Sequence, residues 1–177
     1  TFLFFCWKLT KYTNRSYFIF YILDLHFSIN LPSSKKEFIN LITDYENFYI
    51  YLSKQLQNLK IIKQDNNETT TEETFFLKSL KISITQQTVH KKMSENQFCW
   101  EIITGPVKGT ITLISFKNSN PGTLVTVDTN LKLGLKLKIF SPIIKKQYTK
   151  ILMGIFYKMN TNILNKTNKV WRYGRFF

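Results

Sequence analysis

The stretch "LVTVDTNLKLGLKLKI", residues 124–139, decides the fold. Its odd-numbered positions from Val125 to Ile139 are apolar except for Thr129, whereas the even-numbered positions between them hold Thr, Asp, Asn, Lys or Gly. Because successive side chains of a strand point to opposite faces, this alternation predicts one long strand with a dry face and a wet face. Gly134 within the run predicts a kink or bulge, which is how a sheet curves.

Other strand-like segments fill the region between residues 59 and 116. The polar turn stretches "DNNETT" (65–70) and "KNSNPG" (117–122) are typical of connections between antiparallel strands. Together with residues 124–139, these segments predict an antiparallel run of about six strands. They are "LKIIKQ" (59–64), "TEETFFLKSL" (71–80), "LKISITQQTVHK" (80–91), "NQFCWEII" (96–103) and "TITLISF" (110–116).

The stretch "GPVKGT", residues 105–110, could be read as a phosphate-binding loop. A Walker loop needs Lys directly before Ser or Thr and leads into a helix, whereas Lys108 is followed by Gly109 and a strand-like segment. The sequence therefore predicts a bend between two antiparallel strands, in which glycine supplies backbone angles that other residues resist.

A first strand and two short helices precede this β region. "HFSINLP", residues 26–32, alternates and ends at a proline, which predicts the strand and its end. Ser34 with Glu37 three residues later is a capping-box pattern, which predicts a short helix. Asp44 can cap a second short helix that carries Phe48 and Leu52.

A long helix is predicted after the β region. Ser141 can cap it, and Pro142 stands at the first helical position. Apolar residues at helical spacing form one stripe along it. The stripe consists of Ile144, Tyr148, Ile151, Leu152, Ile155, Met159 and Ile163.

This order of elements resembles the START and birch-pollen-allergen superfamily, also called SRPBCC or polyketide cyclase-like, and is closest in character to the coenzyme-Q-binding START-like proteins. The resemblance implies an α+β helix-grip fold, in which a curved antiparallel sheet of about six to seven strands wraps around the long C-terminal helix and two short helices follow the first strand. The segments that carry it are "LPSSKKEFINLITDYENFYIYL" (31–52), "WEIITGPVKGTITL" (100–113), "PGTLVTVDTNLKL" (121–133) and "PIIKKQYTKILMGIFYKM" (142–159).

The length of 177 residues suits one domain with a sizeable core. We expect residues 1–25 to form an apolar and aromatic N-terminal extension of uncertain order. Polar residues interrupt this segment, and it has neither a run long enough to span a bilayer nor the order of a secretory signal. A START-like helix-grip domain is expected at residues 26–165, followed by a basic aromatic tail at 166–177.

The family resemblance also implies a cavity between sheet and helix that binds a hydrophobic small molecule, such as a lipid, a quinone or a polyketide-like compound. The residues themselves require only that an apolar sheet face meets an apolar helix stripe, which core packing alone satisfies. The candidate lining residues are Ile82, Ile84, Gln86, Thr88, His90, Phe98, Trp100, Ile111, Leu113, Val125, Val127, Leu131, Tyr148, Leu152, Ile155 and Met159.

The polar members of this set have two interpretations. Gln86, Thr88 and His90 continue the parity of Ile82 and Ile84, so they point inward if no bulge intervenes and could hold a polar headgroup. Alternatively, the strand leaves the sheet, and His90 is a surface residue beside two lysines.

The sequence does not contain a recognisable catalytic motif. Glu101 and Asp128 fall on faces opposite their apolar neighbours, and His26 is expected to be exposed. The two cysteines, Cys6 and Cys99, have no spacing typical of zinc or redox sites, so we expect thiols, no metal and no cofactor. A cyclase or aromatase activity in the same cavity is an alternative that only the resemblance supports.

The formal net charge of +14 favours anionic partners. Most lysines of the β region are dispersed at solvent-facing positions, which is typical of an ordinary solvated surface. Two alternatives stay open: a nucleic-acid or ribosome-associated basic module, and a peripheral contact of the basic tail with an anionic membrane. We expect a cytoplasmic protein, with peripheral membrane contact as the alternative.

Overall fold

The alternating stretch near residue 125 forms a strand, β7 (Thr123–Gly134), inside a sheet. The computed structural model describes residues 20–51, 56–77 and 81–166. The other strands of this part of the chain are β1 (Phe20–Leu31), β2 (Leu56–Gln64), β3 (Glu68–Leu77), β4 (Ile82–Ser94), β5 (Gln97–Ile102) and β6 (Ile111–Asn118).

Every pair of neighbouring strands is antiparallel, and the seven strands form one sheet in the order β1-β7-β6-β5-β4-β3-β2. The first strand therefore pairs with the last, and β2 forms the opposite edge. Consecutive strands from β2 to β7 are neighbours, as the turn signals of the sequence predict.

Two short helices connect the two edges of the sheet. They are α1 (Lys35–Ile42) and α2 (Phe48–Tyr51). Ser34 and Glu37 form the predicted capping box: the Ser34 hydroxyl accepts from the backbone N–H of Glu37, and the Glu37 carboxylate accepts from the backbone N–H of Ser34. Phe38 and Ile42 are the buried residues of α1, and their side chains pack into the core.

The last helix, α3 (Ser141–Lys166), packs against the inner face of the sheet. At about 1.5 Å per residue its 26 residues span about 39 Å. Leu152, Ile155, Phe156 and Met159 join the same buried cluster as inward-facing residues of the sheet. The α+β helix-grip architecture is confirmed.

The end of the long strand was predicted wrongly. The alternation continues to Ile139, but β7 ends at Gly134 and a 3-10 turn (Leu135–Phe140) follows. The chain must leave the sheet here to begin α3, and Ile139 is consequently 76% exposed. The alternation of Leu and Lys is compatible with an exposed turn as well as with a strand. The pattern alone does not show whether another part of the protein packs on the apolar side chains.

The beginning of the first strand was also misplaced. β1 begins at Phe20, six residues before the predicted strand, and pairs with β7 along its whole length. Residues 20–25, which the sequence assigned to the extension, are thus strand. His26 is exposed, as expected, and its Nδ1 lies 2.6 Å from the Asp128 carboxylate.

The glycine-containing stretch 105–110 is the predicted bend. It joins β5 to β6, and Gly105 and Gly109 have φ angles of 95° and 83°. No helix follows it, so it does not have the geometry of a phosphate loop.

Some predictions fall outside the described residues: the extension up to residue 19, Cys6, Leu52 and the tail after Lys166. In the described part of the chain, no helix is long and apolar enough to cross a membrane.

Candidate functional site

A cavity of about 120 Å³ lies between the inner face of the sheet and α3. It is partly open to solvent. Its walls come from α2, from the β3–β5 part of the sheet, from the β5–β6 bend and from α3. The lining residues are Phe48, Glu73, Phe75, Ile84, Gln86, Thr88, His90, Trp100, Ile102, Val107, Ile143, Ile144, Gln147, Tyr148, Ile151, Leu152 and Ile155.

The pairing of β3 with β4 brings polar residues to the sheet side of this cavity. Glu73 lies opposite Gln86, and Thr71 lies opposite Thr88 in the antiparallel register. Because side chains with the same parity share one face, these residues and His90 point to the same side of the sheet. All five are buried.

Glu73 is the centre of this polar cluster. Its Oε1 accepts a hydrogen bond from the Thr71 hydroxyl at 2.8 Å. Its Oε2 accepts from Gln86 Nε2 and from the Thr88 hydroxyl, each at 3.0 Å. His90 Nε2 lies 3.5 Å from Oε1. The carboxylate therefore has donors at both oxygens, as a buried charge requires.

The pKa of Glu73 reflects two opposing effects. Burial raises it, but hydrogen bonding and charge interaction with His90, together with hydrogen bonds from Thr71 and Gln86, lower it by more. The net result is a pKa below the usual value, so the ionised carboxylate is the form that the fold stabilises.

The hydrogen-bond directions determine which His90 nitrogen carries a proton. The Thr71 hydroxyl donates its only proton to Glu73, so it can only accept from His90 Nε2, 2.8 Å away. Nε2 therefore carries a proton. Among the described residues, neither Nδ1 of His90 nor Nε1 of Trp100 has a hydrogen-bond partner.

Aromatic rings surround the His90 imidazole. The ring centroids of Tyr45, Trp100 and Phe48 lie 4.9, 5.4 and 6.2 Å from it. The geometries are tilted or edge-on, which is favourable for aromatic contacts. His90 is 2% exposed, so the alternative that placed it on the surface is wrong.

On the helical side, α3 contributes Tyr148 and Gln147 to the cavity wall. The Tyr148 hydroxyl lies 3.3 Å from the Thr112 hydroxyl on β6. Burial is the main cause that raises the pKa of Tyr148 to about 12, so its phenol is neutral at pH 7. The remaining helical wall is aliphatic.

Half of the predicted lining residues lie on the cavity wall. They are Ile84, Gln86, Thr88, His90, Trp100, Tyr148, Leu152 and Ile155. Phe98, Val125, Val127 and Met159 belong instead to the solid core, and Leu131 to a second buried cluster. Four phenylalanine rings fill that part of the interior: Phe38 stacks on Phe116, and Phe98 and Phe156 contact Phe116 edge-on, with centroids 6.0 to 6.3 Å apart.

Three predicted residues do not face the interior as expected. Ile82 is 43% exposed near the start of β4. On β6 the buried positions are Thr112, Ile114 and Phe116, whereas Ile111 and Leu113 occupy the other, partly exposed face. Both faces of this strand carry apolar residues, so alternation alone could not decide its parity.

Sequence reasoning missed nine of the cavity residues. Glu73 was missed because a charged residue was not expected to face inward. Two features of the sequence could have identified it. Glu73 lies two residues before Phe75 and so shares its face of the strand, and the polar residues predicted to point inward from β4 offer it partners. The others are Phe48, Phe75, Ile102, Val107, Ile143, Ile144, Gln147 and Ile151.

The site can form hydrogen bonds with a molecule in the cavity, and its carboxylate and imidazole can accept or donate protons. The described residues include no group of three or more His, Cys, Asp or Glu side chains that could hold a metal ion.

No protein-family model matches the sequence, and no curated protein matches it. Solved structures do match. Protein TTHA0849 from Thermus thermophilus is 13% identical with a TM-score of 0.69, over 82% of this chain and 99% of that one. A START superfamily protein from Mycobacterium smegmatis is 15% identical with a TM-score of 0.63, over 82% of this chain and 98% of that one.

The di-domain ARO/CYC StfQ from the steffimycin biosynthetic pathway is 8% identical, with a TM-score of 0.71. The match covers 83% of this chain but 52% of StfQ, so the chain spans about half the length of that protein. At these identities the similarity concerns the fold. The chain has the helix-grip fold of the START, or SRPBCC, superfamily.

Proposed function

We propose that the protein binds a hydrophobic small molecule, such as a lipid, a quinone or a polyketide-like compound, in the cavity between the sheet and α3. The observation that carries this proposal is an apolar cavity with a polar cluster on one wall. Ligand sites typically combine predominantly apolar walls with a few placed polar groups. Phe75, Ile84 and Ile151 are examples of the apolar wall, and Glu73 is the centre of the polar cluster.

The size of the cavity limits what fits inside. Its volume of about 120 Å³ is below the ~300–1,000 Å³ of typical small-molecule sites. It is close to the ~150 Å³ of an engineered apolar cavity that binds benzene. A ring-sized group therefore fits within the walls, and a longer tail extends through the open side.

The polar cluster orients the ligand in this proposal. His90 Nδ1 and Trp100 Nε1 have no partner among the described residues, and a buried polar group without a partner costs about 1–3 kcal/mol. A ligand carbonyl or hydroxyl oxygen can accept from Trp100 Nε1, and a ligand hydroxyl can pair with His90 Nδ1, so either contact recovers this cost. We therefore expect a ligand with a hydroxyl or carbonyl group at its buried end.

Native mass spectrometry of the purified protein tests the proposal. The complex is then denatured, and the released compound is identified. A stoichiometric hydrophobic compound is the expected result. A protein that is isolated empty and also fails to bind lipid and quinone probes would contradict the proposal.

The buried pair of Glu73 and His90 favours a second candidate function, acid–base catalysis of the cyclase or aromatase kind. Both residues lie on the cavity wall, where a bound molecule would meet them. The similar protein StfQ is described as an ARO/CYC. Turnover of a poly-β-ketone substrate by the wild type, and its loss in Glu73→Gln and in His90→Phe, would favour catalysis over binding alone.

We also propose a cytoplasmic location and one START-like domain with flanking segments. Cell fractionation tests the location: recovery in a secreted fraction would contradict it.

A further inference from the structure

An exposed apolar surface lies where β7 passes through the 3-10 turn into α3. It consists of Leu135, Ile139, Phe140 and Ile143, which are 53%, 76%, 39% and 45% exposed. We call these four residues the mouth patch. Large apolar side chains that are close together and exposed typically mark an interaction site.

The mouth patch adjoins the opening of the cavity. Ile143 is both exposed and part of the cavity wall, and Ile144 and Gln147 continue that wall along α3. Ile139 and Phe140 end the 3-10 turn, and Ile143 follows within the first turn of α3. The apolar surface is therefore continuous with the apolar interior.

Exposed lysines flank the mouth patch along the chain. Lys138, Lys145 and Lys146 are exposed, and residues 129–166 contain eight Lys and no Asp or Glu. Lys138 Nζ lies 5.3 Å from the centroid of the Tyr21 ring. Lys145 Nζ donates to the backbone carbonyl of Asp24 at 3.0 Å.

One acidic side chain, Asp24, lies on the neighbouring strand. Its carboxylate accepts a hydrogen bond from the Asn130 side-chain amide at 2.9 Å. The three lysines outnumber this one carboxylate, so the net charge beside the mouth patch is positive.

We propose that the mouth patch docks on a bilayer that contains anionic lipid, with the cavity opening toward the membrane. Bulky apolar side chains insert at the headgroup boundary, and flanking lysines interact with anionic headgroups. Charge complementarity favours this partner over a second copy of the chain, whose own patch would carry the same positive charge. The docking surface stands independently of the proposed ligand, but it would let a hydrophobic molecule pass directly between membrane and cavity.

Co-sedimentation with phosphatidylcholine vesicles, with and without phosphatidylglycerol, tests the docking. The wild type should bind the anionic vesicles more tightly, and added salt should weaken this binding. The double variant Ile139→Ser and Phe140→Ser should bind about tenfold more weakly. Lys146→Gln should lose about fivefold, which corresponds to ~1 kcal/mol per lysine near a charged surface.

Ile62→Ser is the matched control. Ile62 is 47% exposed on β2, which forms the sheet edge opposite β1, so its loss should not change vesicle binding. Circular dichroism and binding of a hydrophobic probe in the absence of vesicles establish that each variant folds and retains the cavity.

Two outcomes would overturn the docking proposal. One is equal vesicle binding by the wild type and the Ile139→Ser, Phe140→Ser variant while both remain folded. The other is absence of anionic-vesicle binding together with salt-dependent binding to RNA, which would assign the basic surface to a nucleic acid. Loss of vesicle binding with an intact probe site would leave the cavity function standing.

Discussion

At the residue scale, Glu73 combines a buried charge with three close hydrogen-bond donors. Its Oε2 alone accepts from Gln86 and Thr88. A carboxamide at this position would offer one acceptor oxygen and would direct an NH₂ group toward donors. The surrounding polar side chains therefore require a carboxylate.

Glu73→Gln should lower the free energy of unfolding at pH 7 by about 1–3 kcal/mol, because it leaves buried donors without an acceptor. Urea denaturation with an optical probe measures this change. Glu101→Gln is the control, because Glu101 is only partly buried on the other face of the sheet. Equal stability of Glu73→Gln and the wild type would contradict the role assigned to this network.

The lowered pKa of Glu73 also predicts a pH dependence. A carboxyl group whose pKa is lower in the folded state contributes stability above its unfolded-state pKa and loses it as the pH falls through the folded-state pKa. The wild type should therefore lose stability as the pH falls below about 4.5, the usual pKa of this group. This part of the loss should be absent in Glu73→Gln, and parallel pH profiles of the two proteins would refute it.

Thr71 links His90 to Glu73. Thr71→Val removes the hydroxyl that accepts from His90 and donates to Glu73, so we expect a loss of about 1–3 kcal/mol in the free energy of unfolding. Thr74→Val, on the same strand, removes only an exposed hydroxyl contact with Thr85 and should cost much less. Thermal denaturation of the two variants gives the comparison, and equal losses would argue against the linking role.

At the element scale, the sequence predicted the elements better than their ends. Alternation found β7, and the capping box found α1, because each pattern is local. The 3-10 turn after Gly134 was read as strand, since the Leu–Lys alternation is the same in both structures. The prediction of which face of β6 is buried was wrong, because Ile111 and Leu113 are as apolar as the buried residues beside them.

The turn before β7 requires glycine at position 122. Gly122 has a φ of 89°, and an added Cβ would clash with the backbone carbonyl oxygen of Leu31. Gly122→Ala should therefore destabilise the protein by more than about 1 kcal/mol. Gly134→Ala is the control, because its φ is −61° and no atom lies within 4 Å of the added Cβ.

Thermal denaturation should show a lower midpoint for Gly122→Ala and little change for Gly134→Ala. Equal midpoints for the two variants would mean that the turn adapts to a side chain, and that the close approach between β1 and β7 does not constrain it.

At the scale of the whole molecule, the sequence indicated which surfaces meet but not where a space remains. The apolar sheet face and the stripe of α3 were both predicted. Phenylalanine rings fill one part of the interface, and the cavity remains beside β3–β5. The difference depends on side-chain volumes after folding, which periodicity does not encode.

The central claim is that this cavity binds a hydrophobic molecule, and a variant that fills it gives the most direct test. Ile151→Trp places an indole in the cavity wall, whereas Ile111→Trp makes the same change at a half-buried position on the other face of the sheet. The measurement is titration of a quinone or fatty-acid probe by calorimetry, with folding checked by circular dichroism. We predict that the wild type and Ile111→Trp bind the probe with similar affinity and that Ile151→Trp loses at least tenfold; undiminished binding by a folded Ile151→Trp would contradict the account.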